Sequence, residues 1–168
     1  MKTPDTVDLI ARQWEAVRPD VDSSPLEVIA RISRLSRLID RRLAVNFGQH
    51  GLENWMYDVL ATLRRSGEPY ELTAGDLLRQ SMVTTGAITN RIDRLEQRGL
   101  VERASGADRR TVLVRLTPAG LSLVDEVVAT HMRTEDELLA ALSPRQRATL
   151  ADLLRTLLVD LGDIRHHP

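Results

Sequence analysis

The chain contains no cysteine, which excludes disulfides, thiolate metal sites and thiol-based redox sensing. It has no run of about 18 apolar residues that could span a bilayer. Its first residues, Met1-Lys2-Thr3-Pro4-Asp5, are not a basic segment leading into an apolar one. No membrane association is expected, and the chain is expected to be cytoplasmic. A Gly-rich phosphate loop, a Gly-x-Ser-x-Gly elbow and a His-Glu-x-x-His pair are all missing, so no enzyme activity is expected. His50, His131, His166 and His167 are scattered without the spacing of a zinc site, and neither a metal nor any other cofactor is expected. Charge of one sign is also lacking: the net value is −1, so nucleic-acid binding cannot be argued from the total. Lysine is nearly absent, one of 23 basic residues, so an arginine here carries little information by its type alone.

What the chain does have is sorted charge and firm helix punctuation. From Arg79 to Arg115 there are eight arginines against four acidic residues, whereas from Pro118 to Asp163 there are four against eight. The positive stretch coincides with a short helix, a turn and two strands. Ser81 to Leu95 reads as a helix whose apolar residues Ile88, Ile92 and Leu95 share one face. At 100° per residue the other face carries Gly86, Asn90, Asp93 and Gln97, flanked by Thr89 and Arg94, a thin polar surface suited to a groove. Leu100–Arg103 and Thr111–Leu116 read as strands, with Ser105–Arg110 an exposed Arg-rich turn between them. Helix, strand, basic tip and strand together describe a winged helix-turn-helix.

In chain order, residues 5–18 carry the helical stripe Val7, Ile10, Ala11, Trp14 and Val17, ended by Pro19. Ser24-Pro25-Leu26-Glu27 reads as an N-cap and capping box opening a helix that Gly48 and Gly51 break. Asn54–Arg65 is a third helix, Tyr70–Leu72 a short strand, and Thr73 the cap of a helix with Leu77 and Leu78 inward. Thr117-Pro118 starts a long helix to about Leu142, and Ser143-Pro144-Arg145-Gln146 caps the last. The expected fold is mainly α with a small β-wing. Residues 1–47 form an added helix and a first dimerisation helix, 48–116 the winged helix-turn-helix, and 117–168 further dimerisation helices. One face of the last two helices and of 24–47 is too apolar to be left uncovered, which predicts a homodimer reading half-sites about 34 Å apart on double-stranded DNA.

The run Leu95-Glu96-Gln97-Arg98-Gly99-Leu100-Val101-Glu102-Arg103, the triplet Asp108-Arg109-Arg110 and Val114-Arg115-Leu116-Thr117-Pro118-Ala119-Gly120 together resemble the MarR family of bacterial transcription regulators. The resemblance implies that Asp108 orients Arg110 into the minor groove, where a narrow A·T-rich stretch concentrates negative potential, and leaves Arg109 to meet phosphate. On the helix, Thr84, Thr89 and Asn90 are candidates for base-edge or backbone contacts, Asn suiting adenine. Thr85 and Arg94 are placed on phosphate.

The helix before Ser24 is extra relative to a minimal family member and resembles the urate-responsive branch. That branch implies a ligand pocket made from Trp14 and Arg18 on the added helix, Asp58 on the third helix and Arg91 on the reader. The chemistry is coherent: a planar anionic heterocycle wants an aromatic face, a guanidinium for its charge and a carboxylate for its N–H. Each residue also has a plainer role. Trp14 lies on an apolar stripe, Arg18 can offset a helix dipole, Asp58 can pair with Arg64 or Arg65, and Arg91 can clamp a phosphate. Alternatives are a family member answering to a different phenolic ligand, and a winged helix that binds protein.

Overall fold

The computed structural model describes residues 3–81, 88–105 and 112–164. Within them lie helices α1 (Thr6–Val17), α2 (Ser24–Gln49), α3 (Asn54–Arg65), α4 (Ala74–Gln80), α5 (Ile88–Gln97), α6 (Pro118–Leu138) and α7 (Pro144–Asp160). Strands β1 (Glu71–Thr73), β2 (Val101–Ser105) and β3 (Val112–Leu116) complete the order. The mainly helical fold with a small wing is the one expected.

Helix starts follow side-chain chemistry. Thr117 accepts from the Gly120 amide and Ser143 forms a reciprocal box with Gln146, as their Ser/Thr-Pro signatures predict. Ser24 departs from its predicted role as a cap. The Asp22 carboxylate accepts both its amide (2.9 Å) and its hydroxyl (3.1 Å), so Ser24 is already helical and Ser23 occupies the cap without a side-chain bond. Gly48 does not break α2, which runs on to Gln49; the chain turns at Gly51, whose φ of 67° costs glycine nothing. An unforeseen cap opens α1, where Asp5 and Asp8 form a capping box. Leu138 ends α6 earlier than Leu142, and the strands lie one or two residues from their predicted bounds.

The three strands form an antiparallel sheet in the order β1-β3-β2, with Leu72 opposite Val114 and Arg103 also opposite Val114. The core gathers Met56, Val59, Leu60 and Leu63 of α3, Leu77 of α4, Ile92 and Leu95 of α5, Val101 and Val114 of the sheet, and Val124 and Val127 of α6. All of α5's apolar stripe is thereby spent inward. At the join between sheet and α6, Gly120 packs so closely on the Leu100 carbonyl that any Cβ would overlap it.

Outside this core, α1 lies along α2. Val7 and Ala11 are buried, and Arg31 of α2 ties the start of α1 down through Asp5 (2.8 Å) and Asp8 (2.7 Å). A long apolar face stays exposed on the single chain: Val28, Ile29, Leu35 and Leu38 of α2, Met132 of α6, and Leu153, Leu157 and Leu158 of α7.

Candidate functional site

Because Ile88, Ile92 and Leu95 anchor α5 to the core, Thr89, Asn90 and Arg94 project outward and are exposed, as the 100° spacing requires. Thr84, Thr85, Asp108, Arg109 and Arg110 lie outside the described residues. Asp93 does not belong to the free polar surface. It turns to the base of the wing, where Arg103 of β2 ion-pairs with both Asp93 and Glu96. The hydrogen bond to Asp93, foremost among these contacts, holds the Arg103 guanidinium pKa above its ordinary value.

A second cluster joins α5 to the start of α3. The Trp55 indole Nε1–H donates to Glu53 at 2.8 Å, and Arg94 Nη2 meets the same carboxylate at 2.6 Å. These donors hold the Glu53 carboxyl below its usual range, the indole first and Arg94 second. Arg94 also lies over the Trp55 ring, Cζ 4.9 Å from its centroid, and Arg91 lies over it at 5.6 Å. One nitrogen of Arg91, Nη1, is buried and has no hydrogen-bond partner among the described residues. Arg98 closes the far end of α5 by donating to the Gly51 carbonyl at 2.9 Å.

The four residues of the implied ligand pocket fall in two places. Trp14 and Arg18 line one hollow of about 270 Å³, walled by Val21, Pro25 and Leu26, so their i, i+4 spacing does bring them together. Neither Asp58 nor Arg91 lines it. Arg18 is held away from a simple dipole role by a two-pronged contact to Asp20, at 2.8 and 2.7 Å, and the same contact lowers the Asp20 carboxyl. Asp58 sits half-buried on α3 and Arg91 half-buried on α5, beside Trp55 and not Trp14. Near Asp58 on α3, Arg64 donates to Asp125 at 2.7 Å and Arg65 to Thr62 at 2.9 Å.

The contacts of Trp55, Glu53 and Arg103 are what sequence reasoning passed over. Trp55 falls within the third helix, Asn54–Arg65, that the sequence predicts. Its contacts with α5 are between elements, and no spacing within α3 announces them.

Comparison with known proteins agrees with this architecture. Residues 50–111 match the family model described as MarR family. The chain is 39% identical over 146 residues to the HTH-type transcriptional regulator PecS of Dickeya dadantii, covering 86% of this chain and 88% of that protein. Among solved structures, a variant of E. coli MarR in complex with operator DNA superposes with a TM-score of 0.71 at 26% identity, covering 86% of this chain and 97% of that one. BpsR of Bordetella bronchiseptica, whose DNA binding is regulated by 6-hydroxynicotinic acid, gives a TM-score of 0.69 at 27% identity over 77% of this chain and 91% of its own. With its winged helix-turn-helix fold, the chain belongs to the MarR family and is a DNA-binding transcriptional regulator of that type.

Proposed function

We propose that the protein is a repressor that binds a pseudo-palindromic operator as a homodimer and releases it when a small aromatic anion, such as urate, binds. The observation that carries the ligand reading is Arg91 Nη1, a buried cationic donor with no acceptor among the described residues, placed on α5 itself. A buried guanidinium nitrogen that lacks a partner favours an anionic oxygen strongly. A ligand supplying that oxygen acts directly on α5, and if it fits the DNA-incompetent arrangement better, the population shifts away from the operator. Asp58, on α3, is the proposed reader of a ligand N–H. Trp14 and Arg18 are proposed to contribute the aromatic face and second cation, which requires α1 to close toward α5 from the hollow it now forms. Regulation of the Bordetella relative by 6-hydroxynicotinic acid supports a small aromatic acid as the class.

On the DNA side, Thr84, Thr89 and Asn90 are proposed to address base edges or the backbone, Thr85, Arg94 and Arg109 phosphates, and Arg110, oriented by Asp108, the minor groove. The dimer is supported by the exposed apolar face of α2, α6 and α7.

One observation favours a second reading. The Trp14 hollow is apolar-walled and Arg18 is already paired with Asp20, a setting that suits a weakly acidic phenol better than a strong anion. Urate titration followed by tryptophan emission decides between them, using wild type, Trp14→Phe, Trp55→Phe and Arg91→Ala. Saturable quenching abolished in both Trp14→Phe and Arg91→Ala supports the joined site. Quenching lost only in Trp55→Phe and Arg91→Ala removes Trp14 from it. No response in the wild type refutes urate and moves the search to phenols.

A further inference from the structure

The Trp55 ring is in contact with both cations of α5, Arg91 and Arg94. Arg91 and Arg94 are three residues apart on α5, which places them on adjoining sides of one turn, and both guanidiniums lie over the same indole. The indole is fixed in turn: its Nε1–H is taken by Glu53, the carboxylate that also takes Arg94. Glu53 and Trp55 stand at the start of α3, a helix whose Met56, Val59, Leu60 and Leu63 are buried in the core. The cluster therefore links the rigid centre of the molecule to the rotational setting of α5 about its own axis. Thr89 and Asn90, immediately before Arg91, share that setting.

We propose that Trp55 is a positioning residue for DNA reading: through Arg91 and Arg94 it fixes the roll of α5, and so the direction in which Asn90 and Thr89 meet the bases. Arg94 and Glu53 are each about half exposed, so their pair adds little to stability. What the ring contributes is geometry, and geometry separates specific from non-specific binding. Phosphate contacts tolerate a small roll of the helix because they carry no sequence information, whereas bidentate base contacts do not.

The inference rests on α5 being the reader, and the experiment separates the two. An operator is first selected from random-sequence duplexes with the wild-type protein, and its affinity is compared with that for an unrelated duplex at fixed salt. Trp55→Leu keeps apolar bulk but removes the π face and the N–H. It is expected to lose about tenfold in operator affinity, the size of one lost cation–π and hydrogen-bond pairing, with the unrelated duplex bound as before. Trp55→Phe, which keeps a ring face, is expected to restore most of the ratio. If Trp55→Leu does not fold, the double variant Trp55→Phe with Glu53→Gln removes the carboxylate link in its place, and a lowered ratio is again expected. An unchanged ratio in the folded variant, or an equal loss on both duplexes, overturns the positioning role. Failure of the wild type to select any sequence overturns the reader assignment instead.

Discussion

Arg103 in the middle of β2 ion-pairs with Asp93 on α5, and the same guanidinium engages Glu96 three residues further along the helix. Strand β2 and helix α5 are thus joined by one side chain. Removing it leaves two carboxylates side by side with no cation between them. Because all three groups are more than a third exposed, Arg103→Ala is expected to cost about 1 kcal/mol or less in a urea melt. Operator binding is expected to fall by more than this, since the wing loses its register against α5. A band-shift titration in which affinity drops no further than stability does would show that the strut has no part in DNA binding.

Gly120 is required by a close approach and not by its torsion. Its missing Cβ leaves room for the Leu100 carbonyl, which also accepts the Thr117 amide at 3.2 Å. Backbone cannot step aside as a side-chain tip can, so Gly120→Ala is expected to destabilise by about 1–3 kcal/mol, the range for overpacking. Thermal melting should show a lower midpoint with an intact oligomer; an unchanged midpoint would mean that β2 and α6 can separate at no cost.

Much of the fold was legible because its boundaries are written in local chemistry. Thr117 and Ser143 cap as their following prolines announce, and Ile88, Ile92 and Leu95 turn inward as their spacing demands. Ser24 was misread because a neighbour competes: Asp22 reaches its amide first. Gly48 was misread because one glycine in a long helix costs only about 1 kcal/mol. The site was less legible. Trp14 and Arg18 meet as an i, i+4 pair should, yet their union with Asp58 and Arg91 depends on how α1 sits relative to α3 and α5, which no within-helix pattern encodes. The contacts of Trp55 and Arg103 were not legible for the same reason, since each is made with an element distant in sequence.

The wing arginines are expected to differ in kind. Arg110→Ala should weaken operator binding by about 1–3 kcal/mol and relax preference at one A·T-rich position, the signature of a groove contact. Arg109→Ala should weaken all duplexes alike and reduce the salt slope by about one, as loss of a phosphate contact does. Binding measured over a salt series separates the two. Equal behaviour of Arg110→Ala and wild type at matched salt would remove Arg110 from the interface.

Tyr57 stacks on Phe47, with ring centroids 4.4 Å apart, and lies 4.7 Å from His131. Burial, aided by the Glu135 carboxylate, pushes its phenol up to about 12. The raised value fixes the sign of the pH dependence. The neutral phenol's contribution is fully present below the unfolded value near 10 and is lost as pH rises through about 12, because the unfolded chain ionises first. Urea midpoints taken from pH 8 to 12 should therefore fall more steeply for the wild type than for Tyr57→Phe, and parallel curves would refute the assignment.

The exposed face of α7 offers the sharpest test of the dimer. Leu153 is 61% exposed on the single chain and lies one turn from Leu157 and Leu158, with no α7 residue buried in the described chain. A helix with an apolar stripe and no buried residue gains little from its own chain, and a second copy of the protein would supply the missing cover. Introducing one charge there places it against apolar surface in the dimer but in water in the monomer. Leu153→Glu is therefore expected to leave helix content and core melting nearly intact while shifting sedimentation from dimer to monomer at micromolar concentration. Operator affinity should fall with it, because a monomer brings one reading helix where a pseudo-palindromic site needs two. If the variant still sediments as a dimer and still binds, the partner surface lies on α2 and α6 and α7 is not part of it.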